Sequence, residues 1–327
     1  MGEPKSGVGS FISVAEQSGY TTSNDTPSKY VPMLSGGDSL KRNDGQIESN
    51  SLEAIGFHGS RVKQGKRDVS GSETIEISYE GTELFWKHLF GTVVTSQPNP
   101  SGQPTVYDHQ FTIADTLPTG LTLEINRGGY STGQSFKVTG AKIASAEISL
   151  SIDQYLQMTM NFLARDMASM SANSPTFTTK NGFVSPDVTL KWNAVEQDVT
   201  AWSLNLNHNL DGDRFYIGSR LRKNPGRGGK LEFTGSFDTE FQDLTLWNDF
   251  VNATQRQIII SAVGEQIGST GYYYSWTLTL PIVLLNDVNP AVNDAGRIPL
   301  SAAWKAYRSS SAGEATLFIR NTLSSVA

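Results

Sequence analysis

Residues 71–90 read "GSETIEISYEGTELFWKHLF", and residues 235–250 read "GSFDTEFQDLTLWNDF". Each stretch opens with Gly-Ser, continues as an acidic strand pattern, breaks, and ends in a short amphipathic segment around one Trp. Apolar residues at every second position are typical of a half-buried strand, whereas the closing segments have helical spacing. The chain of 327 residues therefore carries one strand-and-helix unit twice.

The spacing of the two units indicates an internal duplication. Gly71 and Gly235 are 164 positions apart, and Trp86 and Trp247 are 161 apart. The difference falls in the break before the helix, where a change of length costs little. Around each unit the same order recurs: strand, long loop, strand, helix, strand, strand, hairpin. Chance similarity between strands is the alternative, but the shared order of unlike elements favours duplication.

Alternation with period two dominates the rest of the chain, as in 121–126, 148–153 and 202–207. Convincing helices are few: "TELFWKHLFG" (82–91), with Thr82 as N-cap, and "FQDLTLWNDFVN" (241–252), where Asp243 could cap. The sequence predicts a mainly β protein with two tandem β-sandwich or half-barrel domains, each with a short flanking α-helix.

Loop-like composition sets the expected domain boundaries. We expect a partly flexible N-terminal arm at 1–45 and a first β domain at 46–168. A linker at 169–186 then leads to a second β domain at 187–327. The N-terminal arm is Gly/Ser/Asn-rich, and we expect it to become ordered on assembly.

Composition excludes several classes of protein. The net charge of −6 argues against tight binding of phosphate, although nucleic acid could still be enclosed. Without any Cys, disulfides, thiol chemistry and Cys-based zinc sites are impossible. The N-terminus lacks a signal-peptide pattern, and no apolar run is long enough to span a membrane. We therefore expect synthesis in a cytosol-like compartment and no membrane insertion.

Motifs for catalysis are missing from the sequence. His58, His88, His109 and His208 have no metal-binding spacing, and there is no nucleophile elbow or P-loop. The Gly-rich "RGGYSTG" (127–133) and the "DGD" at 211–213 are interpreted as turns. We therefore expect no enzyme activity, no cofactor and no metal.

Four carboxylates lie on the polar side of the two repeated strand units: Glu76, Glu80, Asp238 and Glu240. An ordinary solvated sheet face is one interpretation, and a catalytic acid pair is a remote one. The more specific hypothesis is an acidic, smooth channel wall, because like charge repels a polyanion and short Ser and Thr side chains leave no obstacles.

The loops before these strands are basic. We predict that they contact a neighbouring subunit, because a long cationic loop with aromatic anchors suits an acidic partner surface. Solvated charge and DNA binding are the alternatives. The residues of these loops are Arg61, Lys63, Lys66, Arg67, Arg214, Phe215, Tyr216, Arg220, Arg222, Lys223 and Arg227.

The chain resembles the major tail tube proteins of long-tailed bacteriophages. The resemblance rests on "ESNSLEAIGFHGSRVKQGKRDVSGSETIEISYEGTELFWKHLFGT" (48–92), "DTLPTGLTLEINRGG" (115–129) and "GAKIASAEISLSI" (140–152). It extends to "RGGKLEFTGSFDTEFQDLTLWNDFVNATQRQIIIS" (227–261) in the second half. It implies tube-like β domains whose rings stack into a hollow conduit for DNA in the virion tail, with inner strands closing into a barrel.

The duplication departs from the one-domain pattern of the family. Two tube-like domains per chain imply a ring of three chains with pseudo-sixfold symmetry, or of six chains if the second half is a decoration. Implied partners are further copies of the chain, a tape-measure protein in the lumen, terminator and tip proteins, and DNA in transit. The alternatives are a terminator or tail-tip ring protein, or a β-sandwich carbohydrate-binding or adhesin module using Tyr272, Tyr273, Tyr274 and Trp276.

Overall fold

A computed structural model describes residues 6–22, 25–50, 61–128, 134–292, 295–308 and 313–326. Three features of the sequence analysis lie wholly or partly outside the described residues. They are His58, most of the predicted turn at 127–133, and parts of the predicted N-terminal arm. In the described part of the chain the protein is mainly β with two α-helices, which confirms the predicted fold class.

Residues 11–170, here called the first repeat, contain helix α1 (Glu83–Phe90) and most of the strands. Their strands are β1 (Phe11–Glu16), β2 (Lys29–Pro32), β3 (Lys41–Glu48), β4 (Val62–Glu76), β5 (Gly91–Ser96), β6 (Tyr107–Ile113), β7 (Leu121–Arg127), β8 (Gln134–Ser151), β9 (Gln157–Ala164) and β10 (Asp166–Met170).

Residues 188–321, the second repeat, follow a short 3-10 turn at Ser185–Asp187 and contain helix α2 (Thr245–Val251). Their strands are β11 (Val188–Trp192), β12 (Val195–Gln197), β13 (Val199–Asn207), β14 (Glu232–Glu240), β15 (Arg256–Gln266), β16 (Tyr273–Val288), β17 (Pro299–Ala306) and β18 (Thr316–Asn321).

The strand pairing of the first repeat recurs in the second. In the first, β2–β1–β7–β8–β10 form one antiparallel set and β3–β4–β9–β8 another, so the long strand β8 serves both. In the second, β12–β11–β15–β16–β18 and β13–β14–β17–β16 repeat both orders, with β16 as the shared strand. The β5–β6 hairpin has no counterpart among the described strands of the second repeat, and it extends that repeat's sheet by pairing with β18.

The two repeats also share one sheet. Strand β8 pairs antiparallel with β13, so β3–β4–β9–β8–β13–β14–β17–β16 run side by side across both repeats. We call these eight strands the wall sheet. One of its faces carries the alternating buried residues of every wall strand except β3, and the hydrophobic core is a single cluster drawn from both repeats. Backbone pairing and core packing therefore join the repeats.

Helix α1 lies at the junction between the repeats. Trp86 on α1 is buried and its ring centroid is 5.7 Å from that of Trp276 on β16, which in turn stacks on Trp202 of β13 at 6.5 Å. Gly91 ends the helix with φ 111°, as a C-terminal glycine should. Thr82 is the N-cap residue as predicted, but its side chain makes no capping hydrogen bond.

Helix α2 is less deeply buried than α1. Asp249 fixes it by accepting hydrogen bonds from the Trp192 indole N–H at 2.8 Å and from the Arg256 guanidinium at 2.9 Å. Asp243 accepts a hydrogen bond from the backbone N–H of Thr245 at 2.7 Å. The N-cap residue is Leu244, so Asp243 lies one position earlier than predicted and bonds to the first helical N–H from there.

The predicted N-terminal arm differs from the structure where it is described. Residues 11–16 form β1, which pairs with β7 over six residues and is part of the first repeat. Phe11, Ile12 and Val14 are completely buried, and this burial holds the segment in the sheet. Because apolar residues are sparse in 1–45 as a whole, the sequence analysis did not predict this strand.

Candidate functional site

The face of the wall sheet that points away from the core is lined by short polar side chains. Hydroxyl and amide groups bond across successive strands of this face. The pairs are Ser39 with Ser72 at 2.8 Å, Thr74 with Thr159 at 3.0 Å, Asn161 with Ser145 at 3.1 Å, and Ser203 with Ser236 at 3.3 Å. We call this surface the polar wall face.

Three of the four predicted carboxylates lie on the polar wall face. Glu76 and Asp238 are exposed, on β4 and β14 respectively. Glu240, at the end of β14, is paired with Arg297 at 2.6 Å. Glu147 on β8 is exposed on the same face, and the sequence analysis did not single it out. Its signal was present, because Glu147 alternates with the buried Ala146 and Ile148.

Glu80 occupies a different environment from the one predicted. It lies in the turn before α1, is only 9% exposed, and accepts hydrogen bonds from the backbone N–H and the hydroxyl of Thr322. The strand β4 ends at Glu76, so the alternation that placed Glu80 beside it does not continue. Glu80 therefore holds the C-terminal segment and is not part of the polar wall face.

The long loop between β13 and β14, residues 208–231, folds back on the first repeat of its own chain. Arg222 is buried and donates hydrogen bonds to the backbone carbonyls of Val69 and Ala164, each at 2.9 Å. It also pairs with Asp68 and lies over the ring of Phe215. A guanidinium has five donors in a fixed fork, so Arg222 can hold several strand ends at once.

Other basic residues of the loops support the same attachment. Arg220 donates to the Gly65 carbonyl at 2.7 Å, and Arg67 binds Asp44 at 2.8 Å and Asp166 at 2.7 Å. The Arg42 guanidinium, and after it that of Arg67, holds the pKa of Asp44 below its usual value, at about 2. These cations are therefore engaged within the chain.

The remaining predicted loop residues have varied positions. Arg227 donates to the Ala114 carbonyl at 3.0 Å, and Arg214 donates to that of Asn224 at 2.6 Å. Lys66 lies 5.1 Å above the ring of Phe215. The others are exposed: Arg61, Lys63, Tyr216 and Lys223. Tyr216 and the fully exposed Ile217 form the tip of the loop.

The described residues do not assemble a site for metal chemistry. Among them there is no group of three or more His, Asp and Glu side chains that could hold a metal ion. His88, His109 and His208 are buried separately, and burial lowers the pKa of His208 to about 3. No described helix has the length and apolar character needed to cross a membrane.

The predicted row of aromatic residues does not form an exposed cleft. Tyr274 and Trp276 are buried, and Tyr274 stacks on Tyr79 at 4.8 Å. Tyr272 packs against the guanidinium of Arg320. Tyr273 is 47% exposed, so among the four predicted aromatic residues one ring is open to solvent while the other three pack within the protein.

These features define a mainly β protein with a duplicated fold, one sheet that runs through both repeats, and a polar exposed face on that sheet. The phage tail tube protein family matches residues 7–306, and the chain belongs to this family. No curated protein matches the chain.

Proposed function

We propose that the protein is the building block of a phage tail tube, in which chains form rings and rings stack into a conduit for DNA. The observation that carries the proposal is the wall sheet, which runs unbroken through both repeats and has an exposed polar face. Two tube-like domains per chain make a ring of three chains with pseudo-sixfold symmetry the expected unit. Closure removes the open edges that would otherwise promote aggregation.

The polar wall face is proposed to line the lumen. Its exposed acidic residues include Glu76, Glu147, Asp238 and Asp287. Small hydroxyl and amide groups form much of this face, Lys305 is paired there with Glu232 at 2.6 Å, and the exposed negative charge keeps DNA from adhering. The tape-measure protein would occupy this lumen before DNA, and terminator and tip proteins would close the ends of the tube.

Negative-stain electron microscopy of the purified protein tests the proposal. We expect hollow tubes with a regular axial repeat and threefold or pseudo-sixfold rings in end views. A protein that stays monomeric at high concentration would contradict the proposal. Single rings that never stack would instead indicate a terminator or tail-tip ring protein.

A further inference from the structure

The junction between the repeats is an antiparallel pairing of two wall strands. Strand β8 pairs with β13 over seven residues, from Ser145 opposite Asn207 to Ser151 opposite Ala201. We call this pairing the internal seam. It joins the outer wall strand of the second repeat to the outer wall strand of the first.

Strand β3 is the counterpart of β13. Ser39 and Ser72 share a hydroxyl contact at 2.8 Å, and Ser203 and Ser236 share one at 3.3 Å. Ser203 follows Ser39 by 164 positions, and Ser236 follows Ser72 by the same number. This is also the spacing that relates Gly71 to Gly235. The residues before and in β3 therefore occupy the register positions that β13 occupies in the second repeat.

The end of β16 is the counterpart of the end of β8. Strand β8 has a bulge between Ile143 and Ser145 against β9, and β16 has one between Leu285 and Asp287 against β17. Ile143 and Leu285 are 142 positions apart in the chain, and so are Ser145 and Asp287. An inserted residue at the same place in both strands fixes the correspondence without ambiguity of register.

Each of these counterparts is an open edge. In the part of the chain that the structure describes, β3 pairs with β4 alone, and β16 beyond Val283 pairs with β17 alone. Their equivalents β13 and β8 are joined to each other in the internal seam. The chain thus has the two halves of a second seam at opposite ends of its wall sheet.

We infer that β3 of one chain pairs antiparallel with the end of β16 of a second copy, in the register of the internal seam. Transferring that register places Asn43 opposite Asp287, Arg42 opposite Val288, and Lys41 opposite Asn289. The inference rests on the proposed ring and specifies the contact that closes it.

The charges of the two edges are complementary. Lys41 is exposed on the same face as Asn43, diagonally across from Asp287 in the transferred register. Diagonal neighbours across an antiparallel pair are within reach of a long side chain such as Lys. Val288 is buried like its counterpart Ala146, whereas Arg42 stands where the internal seam has the buried Leu206, so the apolar side continues into the core on the β16 strand only.

Pro290 distinguishes the seam between chains from the internal seam. Ile152 donates its N–H to the carbonyl of Thr200 at 3.2 Å, so alternate residues of β8, including Ile148, direct their N–H groups towards β13. Pro290 corresponds to Ile148 and has no N–H. The seam between chains therefore lacks one ladder bond, and Pro protects the free edge from uncontrolled pairing.

Engineered disulfides test this register directly, because the chain has no Cys of its own. Asn43 and Asp287 correspond to Asn207 and Ser145, a pair without mutual hydrogen bonds, and such pairs have Cα atoms about 4.5 Å apart. That distance suits a disulfide. After mixing the single variants Asn43→Cys and Asp287→Cys, assembling and oxidising them, we expect a covalent dimer on a non-reducing gel.

Three controls accompany this experiment. Arg42→Cys mixed with Asp287→Cys should give about tenfold less dimer, because these side chains point to opposite faces. Ser145→Cys with Asn207→Cys in one chain should form an intrachain disulfide, which confirms the geometry of the internal seam. Lys41→Cys with Asn289→Cys is a second interchain pair if the first one disturbs folding.

The outcomes separate the seam from the proposed tube. If rings or tubes are visible by microscopy and neither interchain pair forms a dimer, the inferred register is wrong while the proposed function stands. If the unmodified protein does not assemble, the proposed function and the seam both fail. Selective dimers from the two matched pairs support the inference.

Discussion

The carboxyl group of Glu73 is the most costly single side chain in the wall sheet. It is completely buried on the core side of β4, where the polar group that acts on it most strongly is the Asp38 carboxylate, to which its protonated form can donate. Burial, together with the nearby Asp38 carboxylate, raises the pKa of Glu73 to about 9. Phe237 occupies the corresponding position of β14, so the first repeat places an acid where the second places a ring.

We expect Glu73→Gln to make the protein more stable at neutral and alkaline pH. A carboxyl whose pKa is higher in the folded state binds more protons there, so the free energy of unfolding falls as pH rises from about 4.5 to about 9. At pH 7 the free energy of unfolding is therefore about 3 kcal/mol lower than it is at acidic pH where Glu73 is protonated in both states. Gln does not titrate, so the Glu73→Gln variant lacks this loss. Urea unfolding from pH 5 to 9 measures the slope, with the exposed Glu76→Gln as control. An unchanged slope in Glu73→Gln would contradict this account.

Arg222 is the residue that attaches the long loop to the first repeat. Arg222→Ala leaves the carbonyls of Gly212, Val69 and Ala164 without their donor, and we expect a loss of about 2–4 kcal/mol in the free energy of unfolding. The exposed neighbour Lys223 is a matched control, and its replacement by Ala should have little effect. Chemical denaturation of both variants decides the matter; equal stability would show that the loop is held by other contacts.

At the scale of the elements, the close spacing of adjacent wall strands explains why the repeated Gly-Ser pair begins with Gly at both Gly71 and Gly235. A Cβ at Gly235 would overlap the Ser203 carbonyl oxygen and the indole of Trp304, which lie on the two neighbouring strands. At Gly71 a Cβ would overlap the backbone of Ser39 and Leu40. In both repeats the Gly therefore permits a close approach of adjacent strands.

We expect Gly235→Ala to destabilise the protein by about 2 kcal/mol or more, because the surrounding backbone must shift to admit a methyl group. Gly226→Ala is the control, since the nearest atom to a Cβ there, on Arg214, is 3.8 Å away. Thermal unfolding of the two variants should separate them clearly. A Gly235→Ala protein as stable as the control would show that the strands tolerate wider spacing.

The long loop, residues 208–231, is another element whose position bears on assembly. Its tip is the part that remains available to a neighbouring subunit. Its arginines bind the chain's own backbone, whereas Tyr216 is 54% exposed and Ile217 is fully exposed. The predicted contact of this loop with a neighbouring subunit therefore rests on the tip and not on the arginines, and we propose that this subunit belongs to an adjacent ring. An apolar tip held by a rigid base suits insertion into an adjacent ring.

We expect Ile217→Asp to leave single rings intact and to prevent their stacking, because a buried unpaired carboxylate is unfavourable. Val94→Asp, an exposed apolar residue on β5, is the matched control. Electron microscopy counts rings and tubes for both variants. Normal tubes from Ile217→Asp would rule out the tip as a stacking contact.

At the scale of the whole molecule, the charge of the polar wall face is the property that would matter to cargo. We expect Glu76→Lys with Asp238→Lys to allow tube assembly but to reduce DNA delivery by about tenfold, because a cationic wall holds the polyanion. Glu196→Lys with Asp115→Lys, two exposed positions outside the wall sheet, changes the net charge equally and is the control. Infectivity of phage carrying each variant is the measurement, and full infectivity of the double variant would argue against a luminal position.

The sequence by itself determined the local features of this protein. Alternation with period two predicted a mainly β fold, and the paired Trp segments predicted both helices and the duplication that the strand pairing repeats. These predictions succeeded because side-chain periodicity and helix signals depend on neighbours within a few residues. Glu76 and Asp238 were placed on the correct face of their strands for the same reason.

Only the tertiary structure decided which distant segments meet. It showed that β1 belongs to the first sheet, that Glu80 binds Thr322, that the arginines of the long loop bind the first repeat, and that β8 pairs with β13. Each contact joins residues far apart in the chain, and a strand edge or an Arg side chain carries no local mark of its partner. Long-range pairing follows from the packing of the whole core, which fixed one internal seam and left two matching edges open.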